Sequence, residues 1–270
     1  MKEVVVVSGK GGTGKTSVLA SFAALAKKAV MADCDVDAAD LHLVLEPTIE
    51  LRQEFRSGRQ AVIRGNGCND CGVCQEVCRF DAVKSNCHGN GEAAFSIDPT
   101  ACEGCGVCVR SCPTRAIEFP ERICGEWYVS RTRFGPMVHG RLAIAAENSG
   151  KLVTLVRRKA ADIAQKETRD LLLVDGPPGV GCPVIASMTG ASAALVVAEP
   201  TLSGEHDLER LLELSKLLGV PAAITVNKWE LNPGMAARIE KRAAALGAAD
   251  MGRLWEQVCA AIRGNAGSAG

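Results

Sequence analysis

The chain has 270 residues, of which 47% are hydrophobic and 23% charged, enough apolar material for one large domain or two small ones. Its 31 basic and 31 acidic residues cancel, and the basic residues form no long run, so no electrostatic nucleic-acid surface is indicated. No apolar stretch is long enough for a signal peptide or a membrane span. We therefore expect a cytoplasmic protein with no membrane anchor and no nucleic-acid partner.

The predicted elements alternate between strands and helices on either side of a central block. A β-branched strand over residues 3–9 leads into a glycine loop and a helix over 15–29, and a short strand over 29–37 ends in acidic residues. After the block come a helix over 150–167, strands over 170–179 and 193–201, a helix over 204–219 and a strand over 221–228. This alternation predicts an α/β fold with a doubly wound, mostly parallel sheet.

The central block has a different composition. Glycine, cysteine and polar turn residues dominate between residues 60 and 122, and no long apolar period survives there. We interpret this block as a small α+β domain inserted over 60–122 into a discontinuous domain of residues 1–59 and 123–262. The glycine-rich tail over 263–270 is expected to be disordered.

The segment VVVVSGKGGTGKTS, residues 4–17, contains the phosphate-loop spacing G-x-x-x-x-G-K-[ST] between a predicted strand and a predicted helix. Backbone N–H groups and the helix N-terminus would bind phosphate oxygens, Lys15 would reach the outer phosphates, and Thr16 would offer its hydroxyl to Mg²⁺. We predict a nucleotide site formed by Gly9, Lys10, Gly11, Gly12, Thr13, Gly14, Lys15, Thr16 and Ser17.

Acidic residues follow two of the predicted strands. Asp175 ends the strand LLLVD, where a Walker B aspartate is expected, although a simple strand-end cap is the alternative. Asp33, Asp35 and Asp37 would repel one another unless a cation or ordered water lay among them, and a solvated acidic turn is the alternative. We predict that Asp35 orients the attacking water, that Asp37 lies near Mg²⁺, and that the magnesium site comprises Thr16, Asp33, Asp35 and Asp175.

Nine of the thirteen cysteines lie between residues 68 and 112, which in a cytosolic protein indicates metal binding rather than disulfides. Two runs share the spacing C-x₂-C-x₂-C-x₃-C of a two-cluster bacterial ferredoxin, in which the fourth cysteine of each run serves the other cluster. Zinc is the alternative. The predicted ligand sets are Cys68, Cys71, Cys74 and Cys112 for one [4Fe–4S] cluster, and Cys102, Cys105, Cys108 and Cys78 for the other.

The remaining cysteines are expected to be small packed or loop residues. Cys34 lies between two aspartates, which should raise the pKa of its thiol. Cys87, next to His88, is the one for which a further metal site is the alternative. The full set is Cys34, Cys87, Cys124, Cys182 and Cys259.

The segments KGGTGKT, DCDVDAADL and DGPPG resemble the deviant-Walker P-loop ATPases of the MinD/Mrp/ParA group. The resemblance implies a P-loop fold of the SIMIBI type and Mg-dependent ATP hydrolysis, with Lys10, Lys15 and Asp35 in catalytic roles. In that group the early lysine, here Lys10, crosses a dimer interface to the nucleotide of the partner subunit. VNKWELN resembles the adenine-recognition segment, which implies Asn227 as a base ligand and Lys228 beside it; an ordinary Asn-Lys after a strand is the alternative.

The whole pattern resembles MinD-superfamily ATPases with an inserted two-cluster ferredoxin domain, up to about residue 232. Beyond that residue a strand and a loop on the base side are expected to be missing. The resemblance implies ATP, Mg²⁺ and two [4Fe–4S] clusters as cofactors, and an ATP-dependent dimer with itself or a related chain. We expect coupling of nucleotide state to electron transfer, with a redox partner. Delivery of iron–sulfur or related cofactors to an acceptor protein, and a positioning ATPase with structural clusters, are the alternatives.

Overall fold

The computed structural model describes residues 1–26, 28–86, 94–143, 148–252 and 256. Cys87 with its neighbour His88, Cys259 and the tail over 263–270 lie outside the described residues. The chain forms two compact units, which we call the large unit, residues 1–53 and 125–270, and the small unit, Glu54–Cys124. No helix in the described ranges is long and apolar enough to cross a bilayer.

The strands are β1 (Lys2–Ser8), β2 (Ala29–Asp33), β3 (Thr48–Arg59), β4 (Val62–Ile63), β5 (Val83–Ser85), β6 (Phe95–Ile97), β7 (Ile117–Glu118), β8 (Glu121–Thr132), β9 (Gly135–Leu142), β10 (Leu171–Pro178), β11 (Ala193–Ala198), β12 (Ala222–Val226) and β13 (Ala249–Asp250). The helices are α1 (Lys15–Leu25), α2 (Leu41–Leu45), α3 (Val73–Glu76), α4 (Val107–Ser111), α5 (Ser149–Lys166), α6 (Cys182–Met188), α7 (Leu202–Leu217) and α8 (Pro233–Ala245), and a 3-10 turn covers Trp229–Leu231.

The main sheet has the order β13-β12-β11-β1-β10-β2-β9-β8-β3. Neighbouring strands from β13 to β9 run parallel, which confirms the predicted mostly parallel α/β sheet. The pair β8 and β9 is an antiparallel hairpin, whereas the sequence predicted only α/β alternation in this region. Gly135 closes the hairpin at φ +142°, in a position where a Cβ would collide with the carbonyl of Ala29.

The central strands of the large unit are buried on both faces. Val4 and Val6 of β1 pack with Leu19 and Phe22 of α1 in one apolar cluster. Successive strand residues face opposite sides of a sheet, and α5 and α6 pack against β2, β10 and β1. This two-sided burial explains why β1 and β10 are continuous apolar runs rather than alternating ones.

The small unit consists of short elements. Strands β4 and β7 pair antiparallel, as do β5 and β6, and the two helical turns α3 and α4 contact each other. Both turns begin after a glycine with positive φ, Gly72 at +74° and Gly106 at +70°. The two C-G-V-C segments therefore repeat one local conformation, in which a side chain at the glycine would be strained.

The C-terminal region corrects one expectation. The sequence predicted that the chain passes from one helix almost directly to another, without the strand expected on the base side. Instead, the two-residue strand β13 follows α8 and extends the sheet parallel to β12. Only residues 249 and 250 pair with β12, because helical structure resumes at Met251.

Candidate functional site

The loop between β1 and α1 requires glycine at defined positions. Gly12 and Gly14 have φ values of +78° and +93°, which L side chains rarely adopt. A Cβ at Gly14 would collide with the amide of Asn227, and a Cβ at Gly9 would collide with the side chain of Asp207 on α7. The loop backbone thus packs tightly between α7 and the end of β12. Its N–H groups at the start of α1 are placed to bind phosphate.

Lys15 and Thr16 meet the acidic residues of two neighbouring strands. The Lys15 side chain is only 5% exposed and its Nζ lies 3.8 Å from Oδ2 of Asp35. The Thr16 hydroxyl donates a hydrogen bond of 2.7 Å to Oδ2 of Asp175. Because β2 is the direct neighbour of β10, the structure brings the predicted Walker A and Walker B residues together at one edge of the sheet.

Two carboxyl groups are buried side by side at this edge. Asp33 and Asp175 are paired in the register of β2 and β10. Burial raises the pKa of Asp175 to about 6, although the hydrogen bond from Thr16 and the charge of Lys15 act to lower it. Burial, followed by repulsion from Asp175, also raises the pKa of Asp33. Two buried acids without a cation between them are costly.

Asp33 and Asp175 differ in how many of their carboxylate oxygens have hydrogen-bond partners. The Asp33 carboxylate accepts hydrogen bonds from the backbone N–H groups of Asp35, at 3.2 Å, and Leu41, at 3.1 Å, so it shapes the loop after β2. Oδ1 of Asp175, in contrast, is buried and has no hydrogen-bond partner among the described residues. An unpartnered carboxylate oxygen beside a threonine hydroxyl fits Mg²⁺ with its hard oxygen ligands, directly or through water.

The acidic trio after β2 is spread apart in the structure. Asp33 is fully buried, Asp35 is half-buried and faces Lys15, and Asp37 is exposed. Asp37 instead lines a separate cavity of about 650 Å³ together with His42 and His139. The structure thus separates Asp37 from Asp33 and Asp35, and a place near Mg²⁺ for any of the three stays a prediction.

Asn227 and Lys228 both bind the nucleotide loop. The Asn227 amide donates to the carbonyl of Thr13 at 2.8 Å, and the Lys228 ammonium donates to the carbonyl of Gly12 at 2.9 Å. The segment after β12 thereby holds the loop in its strained conformation. A direct contact of Asn227 or Lys228 with the base stays a prediction.

Glu199, at the end of β11, is a site residue to which sequence reasoning assigned no role. Its Oε2 lies 3.1 Å from the ammonium of Lys10, and its Oε1 accepts a hydrogen bond from Lys228. The hydrogen bond from Lys228, and then the one from Lys10, lower the pKa of Glu199 against the effect of burial. The sequence signal was a lone acidic residue at a strand end, and both of its partners lie on other loops.

Of the three described cysteines outside the two runs, two are packed residues, as expected, and the third is an exposed helix residue. Cys34 is fully buried, and burial, followed by the charge of Asp33, raises the pKa of its thiol. Cys124 is buried and its thiol donates to the carbonyl of Ser57 at 3.1 Å. Cys182 is exposed at the start of α6.

The run cysteines lie close to one another in the small unit. One cavity is lined by Cys68, Cys71, Cys74 and Cys112. Burial raises the pKa of the Cys74 thiol, and the neighbouring thiols of Cys68 and Cys71 raise it as well. Burial also raises the pKa of the Cys108 thiol, beside the neighbouring thiols of Cys102, Cys105 and Cys78.

This grouping fits iron–sulfur clusters better than zinc. A zinc ion needs its sulfur ligands about 2.3 Å from one point, whereas a cubane cluster binds each thiolate at a different corner. Crowded thiols around a shared cavity therefore fit the larger group.

Comparison with known proteins identifies the family. Residues 95–118, which contain the second cysteine run, match the 4Fe-4S binding domain model Fer4. Protein MJ0578 of Methanocaldococcus jannaschii is 35% identical over 233 residues, which cover 85% of this chain and 79% of that protein. The chain belongs to the MJ0578 family. Protein MJ0579 of the same organism is 25% identical over 236 residues, which cover 86% of this chain and 82% of the relative.

The fold of this MJ0578-family chain is that of the cell division ATPase MinD. The cell division ATPase MinD of Pyrococcus furiosus matches with a TM-score of 0.50 and 17% identity, over 92% of this chain and 81% of that structure. The likeness confirms the predicted fold class. A MinD-like fold and a 4Fe-4S binding motif thus occur in one polypeptide.

Proposed function

We propose that this protein binds and hydrolyses MgATP as a dimer, and that it couples nucleotide state to electron transfer through two [4Fe–4S] clusters. The observation that carries the proposal is the presence of two built sites in one chain. In the first, Lys15, Thr16 and Asp175 converge behind a glycine loop. For the second, four cysteines line one cavity and Cys108 lies near Cys102, Cys105 and Cys78, which supports two sets of four, each completed by the last cysteine of the other run.

The large unit's residues divide the work of hydrolysis. Backbone N–H groups of the loop and the Lys15 ammonium bind the phosphates, and Asp35, beside Lys15, orients the attacking water. Thr16 and Asp175 would hold Mg²⁺ most directly, and Asp33 and Asp35 would complete the acidic surroundings of the ion. When bound, Mg²⁺ would neutralise charge that develops on phosphate oxygens. Asn227 and Lys228 keep the loop in its binding conformation from the base side.

Lys10 makes the site bipartite in this proposal. It lies in the loop but is not needed to complete the phosphate contacts of its own protomer, since Lys15 fills that place. In a dimer with a second copy or a related chain, Lys10 would contact the γ-phosphate bound by the partner subunit. Nucleotide state and dimerisation are then coupled, because the cation stabilises phosphate charge only when both subunits close.

The energy scale permits coupling to the clusters. A shift of about 59 mV in a one-electron potential corresponds to about 1.4 kcal/mol, and allosteric coupling energies are typically about 1–3 kcal/mol. A nucleotide-driven change of dimer geometry can therefore alter a cluster potential, or access to a redox partner, by a measurable amount.

One observation favours a second function, the delivery of iron–sulfur clusters to an acceptor protein. Cys71 and Cys105, one ligand of each predicted set, are exposed. An exposed thiolate is open to ligand exchange with an incoming cysteine of another protein. The eight-ligand arrangement, which satisfies each cluster fully within the chain, favours retained clusters and keeps electron transfer first.

The test is anaerobic purification of the full chain, followed by EPR-monitored redox titration with and without MgATP. The proposal expects two [4Fe–4S] signals and a potential or line shape that changes with MgATP. Clusters whose signals ignore the nucleotide contradict the coupling. Loss of iron and sulfide to an added apo-ferredoxin, accelerated by MgATP, would favour delivery instead.

The Lys10→Ala variant tests the bipartite site separately. It should retain MgATP binding, which Lys15 and the backbone provide, and lose ATP hydrolysis and ATP-dependent dimerisation. Equilibrium binding, phosphate release and sedimentation velocity measure these three properties. Normal turnover by Lys10→Ala would show that the two-subunit mechanism is wrong.

A further inference from the structure

The Lys10 ammonium is already engaged within its own protomer. It lies 3.1 Å from Oε2 of Glu199 and donates a 3.4 Å hydrogen bond to the hydroxyl of Ser203. Glu199 is only 13% exposed, so the pair is partly shielded from solvent and is stronger than a fully exposed ion pair. A lysine that must reach a partner subunit has to leave these contacts first.

Glu199 binds a second lysine at the same time. Its other oxygen, Oε1, accepts a hydrogen bond from Lys228, whose ammonium also donates to the Gly12 carbonyl at 2.9 Å. When Lys10 leaves, Glu199 is not left as an unpaired, partly buried charge, because Lys228 still binds it. The release of Lys10 therefore costs little free energy at Glu199, and Lys228 still holds the nucleotide loop.

The backbone around Glu199 is fixed in place. The Glu199 carbonyl accepts the N–H of Thr201 at 2.8 Å, and the Thr201 hydroxyl caps α7 by accepting the N–H of Gly204 at 3.0 Å. A Cβ at Gly204 would collide with the Glu199 carbonyl. The carboxylate therefore extends from a rigid corner between β11 and α7, which is what a positioning residue requires.

From this geometry we propose that Glu199 is the positioning residue that stores Lys10 in the free protomer, so that dimer closure exchanges the Glu199 carboxylate for the γ-phosphate of the partner subunit. The inference rests on the proposed trans role of Lys10 and assigns the regulation of that site. Glu199 sets the protein concentration at which the ATP-bound dimer forms. It also keeps Lys10 from contributing to hydrolysis before a partner arrives.

The size of the effect follows from the fraction of free lysine. The apparent affinity falls by the fraction of protomers that are competent to bind. If Glu199 holds Lys10 in about nine of ten free protomers, apparent dimerisation weakens by roughly tenfold for each lysine that must be released.

The experiment compares Glu199→Gln with the wild type, using the anaerobically purified full chain and a non-hydrolysable ATP analogue with Mg²⁺. Glutamine keeps the size and an acceptor oxygen for Lys228 but removes the charge that holds Lys10. Sedimentation equilibrium should show a dimer dissociation constant that is lower by at least about tenfold. The protein concentration for half-maximal ATP hydrolysis should fall in parallel. An unchanged or raised dissociation constant overturns the proposal.

Two further variants keep the result interpretable. Glu205→Gln is the matched control, because Glu205 is 12% exposed and pairs with Arg238 at 2.8 Å rather than with a loop lysine; its dimerisation should equal that of the wild type. Ser203→Ala removes the second contact of Lys10 without touching Glu199 and should shift dimerisation in the same direction by a smaller factor. If Glu199→Gln does not fold, Ser203→Ala alone decides.

A double-mutant cycle separates the two proposals. If Lys10→Ala leaves dimerisation and hydrolysis intact, the trans role of Lys10 fails and the storage role fails with it. If Lys10→Ala abolishes both but Glu199→Gln shifts the affinity for the nucleotide equally in the presence and absence of Lys10, only the storage role fails. Because Lys10→Ala abolishes dimerisation, nucleotide affinity is the readout in that background, and storage predicts that Glu199→Gln leaves it unchanged there.

Discussion

The large and small units contrast in what fills their interiors. In the large unit, strands β1 and β10 place valine and leucine side chains on both faces of the sheet, and Leu171, Leu172 and Leu173 are all essentially unexposed. In the small unit, the fully buried part of the apolar cluster has only the hydrocarbon side chains of Ala61, Val83 and Ile117 beside Cys74, and both partly buried apolar residues and Cys78, Cys102, Cys108 and Cys112 pack against it. The predicted cluster ligands are therefore also core residues. The small unit lacks the hydrocarbon burial that holds the large unit together.

The two sites differ in the same way. The nucleotide site consists mainly of backbone in conformations that only glycine adopts easily, as at Gly12 and Gly14. The predicted cluster sites consist of side-chain thiols on and beside two repeated turns. A backbone site persists as long as the surrounding sheet does, whereas a thiol site and its fold depend on the bound group.

The largest effect is expected from removing the clusters. Chelation of iron under oxidising conditions should unfold the small unit, because small domains without a sufficient core need a metal or other cross-link. Hydrogen exchange should then show loss of amide protection in β5 and β6 and retained protection in β1 and β10. Protection that stays high in β5 and β6 would mean that the small unit folds without its clusters.

Single substitutions sharpen the same comparison. Cys74→Ser removes a predicted ligand and should lower the iron content and reproduce the exchange pattern of the cluster-free protein. Cys124→Ala is the control, since Cys124 is a buried cysteine of the same unit that belongs to neither predicted set. It should retain the full iron content.

A cavity in the apolar core should destabilise the large unit rather than the small one. Leu195 on β11 is fully buried in the main apolar cluster, so Leu195→Ala should lower the free energy of unfolding of the large unit by about 2–5 kcal/mol. Denaturant titration followed by circular dichroism measures the loss. Leu217→Ala is the matched control, because Leu217 is 82% exposed, and its effect should stay within about 0.5 kcal/mol. An equal loss for both variants would contradict a core at Leu195.

The nucleotide loop offers a paired glycine test. Gly14→Ala places a Cβ at φ +93° and against Asn227, a strain of about 1–3 kcal/mol, which should weaken ATP binding roughly 5- to 150-fold. Gly11→Ala is its partner, because Gly11 has no positive φ and no atom near its Cβ position. Fluorescent-nucleotide titration of the two variants should separate them. Equal weakening would show that the loop conformation is not what binds phosphate.

Sequence reasoning recovered the features that are local in the chain. The strands β1, β10, β11 and β12 were predicted because continuous apolar runs followed by turn residues are a local signal. The hairpin of β8 and β9 was not, because β8 mixes polar and apolar residues and its turn depends on Gly135 fitting against Ala29. Pairing of distant segments is a property of the fold.

The site shows the same division. The loop spacing and the cysteine runs are local motifs, so the sequence alone is enough to predict which residues they contribute. The roles of Asp33 and Glu199 could not, because Asp33 uses its carboxylate on the backbone of its own loop and Glu199 meets two lysines from different loops. Which partner satisfies a charged group becomes visible only once distant segments are brought together.

The smallest effect is expected at a polar contact within the large unit. This contact tests whether hydrocarbon burial alone accounts for the stability of that unit. Arg157 on α5 donates from Nε to Glu3 on β1 at 2.7 Å, and from its guanidinium to the carbonyls of Ala186 and Thr189 at the end of α6. The side chain is only 14% exposed, so Arg157→Ala leaves sheltered acceptors unpaired. We expect a loss of about 1–3 kcal/mol.

The readout that identifies this mechanism is local. Amide exchange in α6 should accelerate in Arg157→Ala while exchange in β11 changes little, because β11 has no contact with the arginine in the described hydrogen bonds and ion pairs. Arg52→Ala supplies the comparison: Arg52 forms a 2.6 Å ion pair with Glu126 but is 65% exposed, and such exposed pairs contribute about 0–1 kcal/mol. If Arg157→Ala is as mild as Arg52→Ala, the large unit depends on its apolar core alone, and the contrast with the small unit becomes sharper still.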